Sequence, residues 1–156
     1  MEVILTLFLA FIPLAFSVLQ PCTVDKGPLP KSVTIVNCDN NEDCDFVRGK
    51  SVIGDFEFVA LTDITSLTPF VYMTLGKNRM TKADTDIPFD RILGCDWLLE
   101  GYSCPVTKGK TLKWRLNLPI SSMETITQAT IEIAMRSQDN TTQFCAQIWG
   151  NVYPLK

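Results

Sequence analysis

Hydrophobic and polar residues alternate with a period of two along most of the chain. The clearest case is 111–118, where leucine and Trp114 occupy every second position and Lys113 and Arg115 fall between them. Successive side chains of a strand point to opposite faces, so each such segment predicts a β-strand with one buried and one wet face. Seven segments show this pattern: 32–37, 45–48, 52–61, 70–75, 111–118, 130–136 and 144–152.

No amphipathic helical segment lies among these strands, so the fold class is predicted to be all-β. About seven strands of this kind predict a sandwich of two antiparallel sheets. Residues 138–141, Gln-Asp-Asn-Thr, separate the last two strands and predict a hairpin turn. Segments 44–50 and 104–110 share a cysteine followed four residues later by a basic residue, glycine and lysine. Glycine tolerates positive φ, so each predicts a tight turn that leads into a strand.

The first residues follow a different pattern. Val3 to Phe16 form an apolar run of 14 residues interrupted only by Thr6 and Pro13. A membrane-spanning helix needs about 20 residues, so the run fits the central part of a signal peptide better. A buried N-terminal strand or helix is the alternative. We predict a signal peptide over 1–17, cleaved after Ser17, and one mature domain over 18–156 that is secreted and soluble.

Charge and residue types exclude several functions. Without Glu2, 14 basic residues face 16 acidic ones, and this near-neutral balance argues against nucleic-acid binding. The chain has no histidine, which excludes histidine-based catalysis and histidine metal ligands. Carboxylate pairs at 42–43 and 84–86 lie in polar loops, where solvated surface is the simpler interpretation than a carboxylate-only hydrolase. We therefore predict no enzyme activity, no cofactor and no metal.

Six cysteines lie in the mature part, and an even number in a secreted chain indicates disulfide bonds. Six cysteines allow about 15 pairings, and spacing alone does not choose among them. Local bonds are plausible for Cys38 with Cys44 and for Cys95 with Cys104. A zinc site is the alternative, but there is no C-x-x-C pair.

The inward strand positions are mostly Phe, Ile, Leu, Met or Trp. An ordinary packed core and a sandwich that parts to hold a ligand have the same alternation. The residue pattern alone therefore supports a secreted β-sandwich and leaves both interiors open.

The order of several motifs resembles the ML-domain lipid-recognition family. The motifs are the six-cysteine layout, the segment 104–110, the strand end Leu118-Pro119-Ile120 and the late Phe144-Cys145 pair. Together they span 22–152, and the chain looks most like Niemann-Pick type C2 proteins and group 2 mite allergens, among the arthropod members.

The resemblance implies an immunoglobulin-like sandwich with one apolar ligand between its sheets, bound and transferred without catalysis. The ligand would be a sterol, a fatty acid or a related semiochemical. The resemblance also implies the bonds Cys22–Cys145, Cys38–Cys44 and Cys95–Cys104. It predicts a wall formed by inward strand residues, namely Phe56, Phe58, Val71, Met73, Trp114, Leu116, Ile131 and Ile133. It predicts a pocket mouth formed by Ile87, Pro88, Phe89 and Ile120.

Further expectations concern oligomeric state, location, partners, glycosylation and the response to acid. The protein is expected to be a monomer, extracellular or delivered to the lysosome, and to meet a membrane-protein receptor or acceptor. A lipid-recognition co-receptor in immunity or signalling is the alternative function. Asn140-Thr141-Thr142 predicts N-glycosylation of Asn140. Any acid response would have to come from carboxylates, with Asp84, Asp86, Asp90 and Glu124 as the candidates near the mouth.

Overall fold

The computed structural model describes residues 19–39, 43–76, 78–81, 94–122 and 126–155. Within them, nine strands and one 3-10 helix, η1 (Gly94–Trp97), make up the regular structure. The strands are β1 (Ser32–Ile35), β2 (Cys38–Asp39), β3 (Asp43–Val47), β4 (Ser51–Val59), β5 (Leu67–Leu75), β6 (Asn78–Thr81), β7 (Thr111–Pro119), β8 (Gln128–Ser137) and β9 (Thr142–Tyr153). All seven predicted segments form strands, and β2 and β6 are short additions. No helix in these ranges is long and apolar enough to cross a membrane.

Several predicted features lie outside the described residues. They are the signal peptide over 1–17, the mouth residues Ile87, Pro88 and Phe89, and the carboxylates Asp84, Asp86, Asp90 and Glu124.

The strands form two sheets, which confirms the predicted sandwich. One sheet has the order β1-β4-β7 and the other the order β2-β3-β9-β8-β5-β6. One pair differs from the expected antiparallel arrangement, because β3 runs parallel to β9 with Cys44 opposite Gly150. Arg48 N donates to Tyr153 O just past this pair, at 3.0 Å, so both strands end at the same edge. From there the chain turns directly into β4 of the other sheet.

The repeated cysteine–glycine segments have matching positions in the sheet of β1, β4 and β7. Gly49 and Gly109 both have positive φ, 71° and 86°, and precede β4 and β7. The N–H of Gly49 donates to Ile120 O and that of Gly109 to Ala60 O, each at 2.8 Å. Each turn is therefore tied to the chain just past the end of the partner strand. The sequence prediction of two tight turns is confirmed.

The turn between β8 and β9 is also as predicted. Asn140 has φ 63°, and its N–H donates to Ser137 O at 2.9 Å. Asn140 is exposed, and its Oδ1 accepts a hydrogen bond from Arg136 Nη1 at 3.3 Å.

The three disulfides pair as the family resemblance implies. Cys22 is bonded to Cys145 across 123 residues, whereas Cys38–Cys44 and Cys95–Cys104 close loops of 6 and 9 residues. In the chain-entropy account, the long bond stabilises by about 4–5 kcal/mol and each short one by about 2–3 kcal/mol.

The segment 19–30, which we call the strap, covers part of the outer face of β8 and β9. Gln20 O accepts from Gln147 N, and Pro28 O accepts from Cys145 N, both at 2.9 Å. The outward side chains beneath it are buried, including those of Glu132, Ala134, Cys145 and Gln147. The prediction of one wet face per strand is therefore wrong for these two strands. The strap replaces water over them.

Glu132 anchors the strap from below. Its Oε2 accepts from the backbone N–H groups of Thr23 and Val24 at 3.1 and 3.2 Å. Its Oε1 accepts from Thr23 Oγ1 at 2.5 Å and from Gln147 Nε2 at 3.2 Å. Glu132 is only 5% exposed, and these bonds replace the water that its carboxylate loses. A single side chain therefore fixes two consecutive strap residues to β8.

We predict that Glu132→Ala lowers the free energy of unfolding by about 2–4 kcal/mol, because it leaves the buried amide of Gln147 and the part-buried donors of Thr23 and Val24 without their acceptor. Glu132→Gln should cost less. An amide oxygen can still accept from both backbone N–H groups, while its NH₂ can donate to a rotated Thr23 hydroxyl and a flipped Gln147 amide. Urea denaturation of the oxidised protein measures both changes. Glu57→Ala, on the outer face of the other sheet, is the control and should stay within about 0.5 kcal/mol of wild type. Equal stability of Glu132→Ala and wild type would contradict this role.

Candidate functional site

The inner faces of the two sheets contain all eight predicted wall residues. Each of them is buried, with exposure between 0% and 3%. The sheet of β1, β4 and β7 supplies Phe56, Phe58, Trp114 and Leu116. The sheet containing β5 and β8 supplies Val71, Met73, Ile131 and Ile133. None of these eight side chains ionises, so together they offer an apolar molecule a surface without acid or base groups.

Strand register groups the wall residues into neighbouring pairs. Phe56 lies opposite Trp114 across β4 and β7. Val71 lies opposite Ile133, and Met73 opposite Ile131, across β5 and β8. Directly paired side chains of one face are in contact range, so the predicted residues form continuous patches on each sheet.

Phe144 on β9 joins the two sheets and was not among the predicted site residues. Its ring centroid lies 5.4 Å from that of Phe56, 4.9 Å from Phe58 and 6.3 Å from Trp114. Ala146, Ile148 and Val152 follow it on the same face of the strand, all buried. The alternation of apolar residues along β9 was the signal that could have identified this face.

Trp97 on η1 adds a fifth ring to this group, with its centroid 6.0 Å from that of Trp114 and an interplanar angle of 25°. We call Phe56, Phe58, Trp97, Trp114 and Phe144 the aromatic cluster. Offset and tilted aromatic pairs at such distances each contribute about 0.5–1.5 kcal/mol beyond their buried area. The aromatic cluster therefore closes one end of the interior firmly.

The other half of the interior is mainly aliphatic, and it also contains the buried ring of Phe46 on β3, opposite Val152. Its side chains follow the same inner faces away from the aromatic cluster, and the buried members are Val52, Leu75, Leu116, Leu118, Ile120, Ala129, Ile131 and Ile148. Ile120 was predicted at the mouth. It follows β7 directly and is 2% exposed, with its N–H bonded to Lys50 O at 2.8 Å.

One polar atom of the interior has no partner. The indole Nε1 of Trp114 is buried and makes no hydrogen bond within the described part of the chain. Indole has a single N–H donor and no acceptor, so its whole hydrogen-bonding capacity is unused. Leaving a buried donor unpaired costs about 1–3 kcal/mol.

The described surface also has a groove of about 640 Å³ at the ends of β3 and β9. Asp45, Val47, Lys50, Tyr153 and Pro154 line it. It opens on the outer side of the sheet and involves none of the predicted wall residues.

Comparison with protein-family models matches residues 17–150 to the ML domain, E1_DerP2_DerF2. The chain belongs to the ML-domain family. This is a family of lipid-binding proteins that are not known as enzymes. No curated protein sequence matches this ML domain.

The solved structures that are similar to this ML domain include an insect protein and an avian one. A Niemann-Pick type C2 protein from Japanese carpenter ant has a TM-score of 0.69 and 14% sequence identity, covering 86% of this chain and 98% of that one. Chicken MD-1, solved in complex with lipid IVa, has a TM-score of 0.47 and 15% identity, covering 85% and 87%. The likeness to the ant protein, at 14% identity, is one of fold.

Among the residues that the structure describes, no cluster of three or more His, Cys, Asp or Glu side chains could hold a metal ion. The buried carboxylates Asp25 and Glu132 belong to the strap and the outer face of β8. Charge is thus kept on the outer face of the sheet, away from the paired inner faces.

We predict that Phe144→Ala lowers the free energy of unfolding by about 3–5 kcal/mol, because it removes ring contacts to β4 and β7 of the facing sheet and leaves a cavity. Tyr153→Ala on the same strand is the matched control, since its side chain is 41% exposed. Its effect should be about 0.5 kcal/mol. Guanidinium denaturation followed by tryptophan fluorescence makes the comparison. Similar losses for the two variants would show that Phe144 does not join the sheets.

Proposed function

We propose that the protein is a secreted carrier that takes up one small hydrophobic lipid between its two sheets and transfers it to an acceptor. The observation that carries this proposal is the pair of buried inner faces. They contain only apolar wall residues, and they belong to a domain whose family binds lipids. Burial of apolar ligand surface there would stabilise the complex by about 25 cal/mol per Å².

The ligand body is proposed to lie against the aliphatic half of the interior. Met73 is unbranched and has three rotatable side-chain bonds, so it adapts readily to irregular shapes beside Leu118 and Ile131. The aromatic cluster, by contrast, is fixed by mutual ring contacts. A sterol ring system or an acyl chain suits such an aliphatic surface, and a transfer role follows from non-covalent binding that is reversible.

The test is native mass spectrometry of the purified oxidised protein, combined with solvent extraction and lipid analysis. One bound lipid per chain, either co-purified or added as a fluorescent sterol, supports the carrier. A chain that contains no lipid and binds neither a fluorescent sterol nor a fluorescent fatty acid has a filled core, and this outcome would overturn the proposal.

Binding of a non-ionisable lipid should change less than about twofold between pH 7 and pH 5.5. The hydrogen bonds from Arg115 to Asp55, both 2.7 Å, hold the pKa of that carboxyl below its usual 3.8. The Ser137 hydroxyl similarly lowers the pKa of Asp139 from 3.8. Glu100 raises the pKa of Lys113 above 10.5. Lowered carboxyl pKa values stabilise the fold above about pH 4 and stop doing so as pH falls further. The raised pKa of Lys113 stabilises the fold at neutral pH, and this contribution is lost only as pH rises above 10.5. With no histidine in the chain, these groups keep their charge across the tested window.

A fluorescent sterol titration at both pH values makes this measurement. A tenfold change, about 1.4 kcal/mol, would contradict the expectation and point to a carboxylate that titrates on binding.

Secretion and glycosylation are part of the same proposal. Asn140 is exposed at the turn after β8, and its amide oxygen is held by Arg136. Expression of the full chain in insect cells should give a monomer in the medium that begins at Val18 and migrates faster after glycosidase treatment. Asn140→Gln should migrate like the treated protein. Retention in the cells, or unchanged mobility after treatment, would count against this part.

A further inference from the structure

The unpaired indole N–H of Trp114 sets a requirement for the ligand. Trp114 lies on the inner face of β7, fully buried, among the rings of Phe56, Trp97 and Phe144. Its Nε1 finds no acceptor on any described side chain or backbone carbonyl. Buried tryptophan N–H groups ordinarily have an acceptor.

Other buried polar side chains show how unusual this is in the molecule. Gln143 accepts a hydrogen bond from Leu61 N and donates to Thr62 Oγ1 and Ser137 Oγ. Glu132 accepts from several donors. Two more buried atoms lack partners, Asp25 Oδ2 and Arg48 Nε. The carboxylate of Asp25 nevertheless has its other oxygen paired with Arg136. Asp25 belongs to the strap and Arg48 to the turn between β3 and β4, so among the described residues of the inner strand faces Trp114 supplies the unpaired donor.

The geometry points to a ligand whose polar end is a single uncharged oxygen acceptor, such as a ketone, aldehyde or ester carbonyl, held at the aromatic cluster by the Trp114 indole N–H. This inference rests on the proposed lipid-binding function and specifies the ligand class and its orientation. The apolar body then extends into the aliphatic half of the interior.

The number and kind of donors select among lipid head groups. A carboxylate needs several donors to replace its water, and the wall offers one. A hydroxyl can accept from the indole but introduces an unpaired donor of its own. A neutral carbonyl accepts without donating, which matches a site that donates without accepting. An ionised fatty acid is the poorest match.

The experiment compares three probes of equal carbon number, n-dodecane, 2-dodecanone and dodecanoate at pH 7.5. Each displaces N-phenyl-1-naphthylamine from the purified oxidised full chain, wild type or variant. The wild type should prefer the ketone over dodecanoate. Trp114→Phe removes the N–H and keeps an aromatic ring, so the ratio of ketone affinity to alkane affinity should fall about fivefold. Trp97→Phe is the matched control, because it changes the neighbouring ring and should affect ketone and alkane equally.

The outcomes separate the two proposals. If neither ketone nor alkane displaces the probe from the wild type, the carrier function itself fails. If both bind and Trp114→Phe weakens neither, or weakens both equally, the carrier stands and the role of the indole is overturned.

Indole N–H resonances provide a second measurement on the unmodified chain, which has three tryptophans. Added 2-dodecanone should shift the Trp114 signal downfield, whereas n-dodecane should not. The same response to both probes would overturn the inference even if Trp114→Phe fails to fold.

Discussion

Phe144 packs against Phe56, Phe58 and Trp114, and this contact keeps the two sheets at a fixed separation at one end. Two sheets with apolar inner faces would otherwise collapse onto each other or slide, because the hydrophobic effect has no preferred direction. Interlocked rings restrict both motions. The aliphatic half can then adapt to a guest while the aromatic cluster maintains the frame. A lipid carrier needs this combination, since it must bind firmly and still release.

The polar interactions have a different task, which is to hold the strap. Glu132 and the Cys22–Cys145 bond lie on the outer face of β8 and β9, and they allow this sheet to be buried on both sides in its central strands. The sheet itself lies between the carboxylates of that face and the interior. The molecule thereby separates an outer layer with defined polar contacts from an apolar inner layer, in which the indole N–H of Trp114 has no acceptor. A ligand with one neutral oxygen would supply that acceptor.

Much of this fold follows from alternation in the sequence, and the exceptions have physical causes. The seven strands, the turn at Asn140 and the turns at Gly49 and Gly109 were predictable because period-two burial and turn chemistry are local properties. The parallel pairing of β3 and β9 and the burial of Glu132 were not, because each depends on chain segments far apart in sequence. The burial of the eight predicted wall residues on the inner faces was predictable because inward strand positions are apolar. Phe144 was missed because nothing local separates a ring that joins two sheets from one that packs within its own.

The strap has a consequence for the order in which the chain becomes complete. Cys22 is synthesised early, but its partner Cys145 and the N–H groups of Cys145 and Gln147 that bond the strap belong to the last strand. The strap therefore leaves the ribosome well before β9 but can dock only after β9 has formed. Until then Cys22 has no native partner, and the outer face of β8 has no cover. Docking of the strap thus depends on β9, and a truncation that removes Cys145 and Gln147 would release the strap together with that strand.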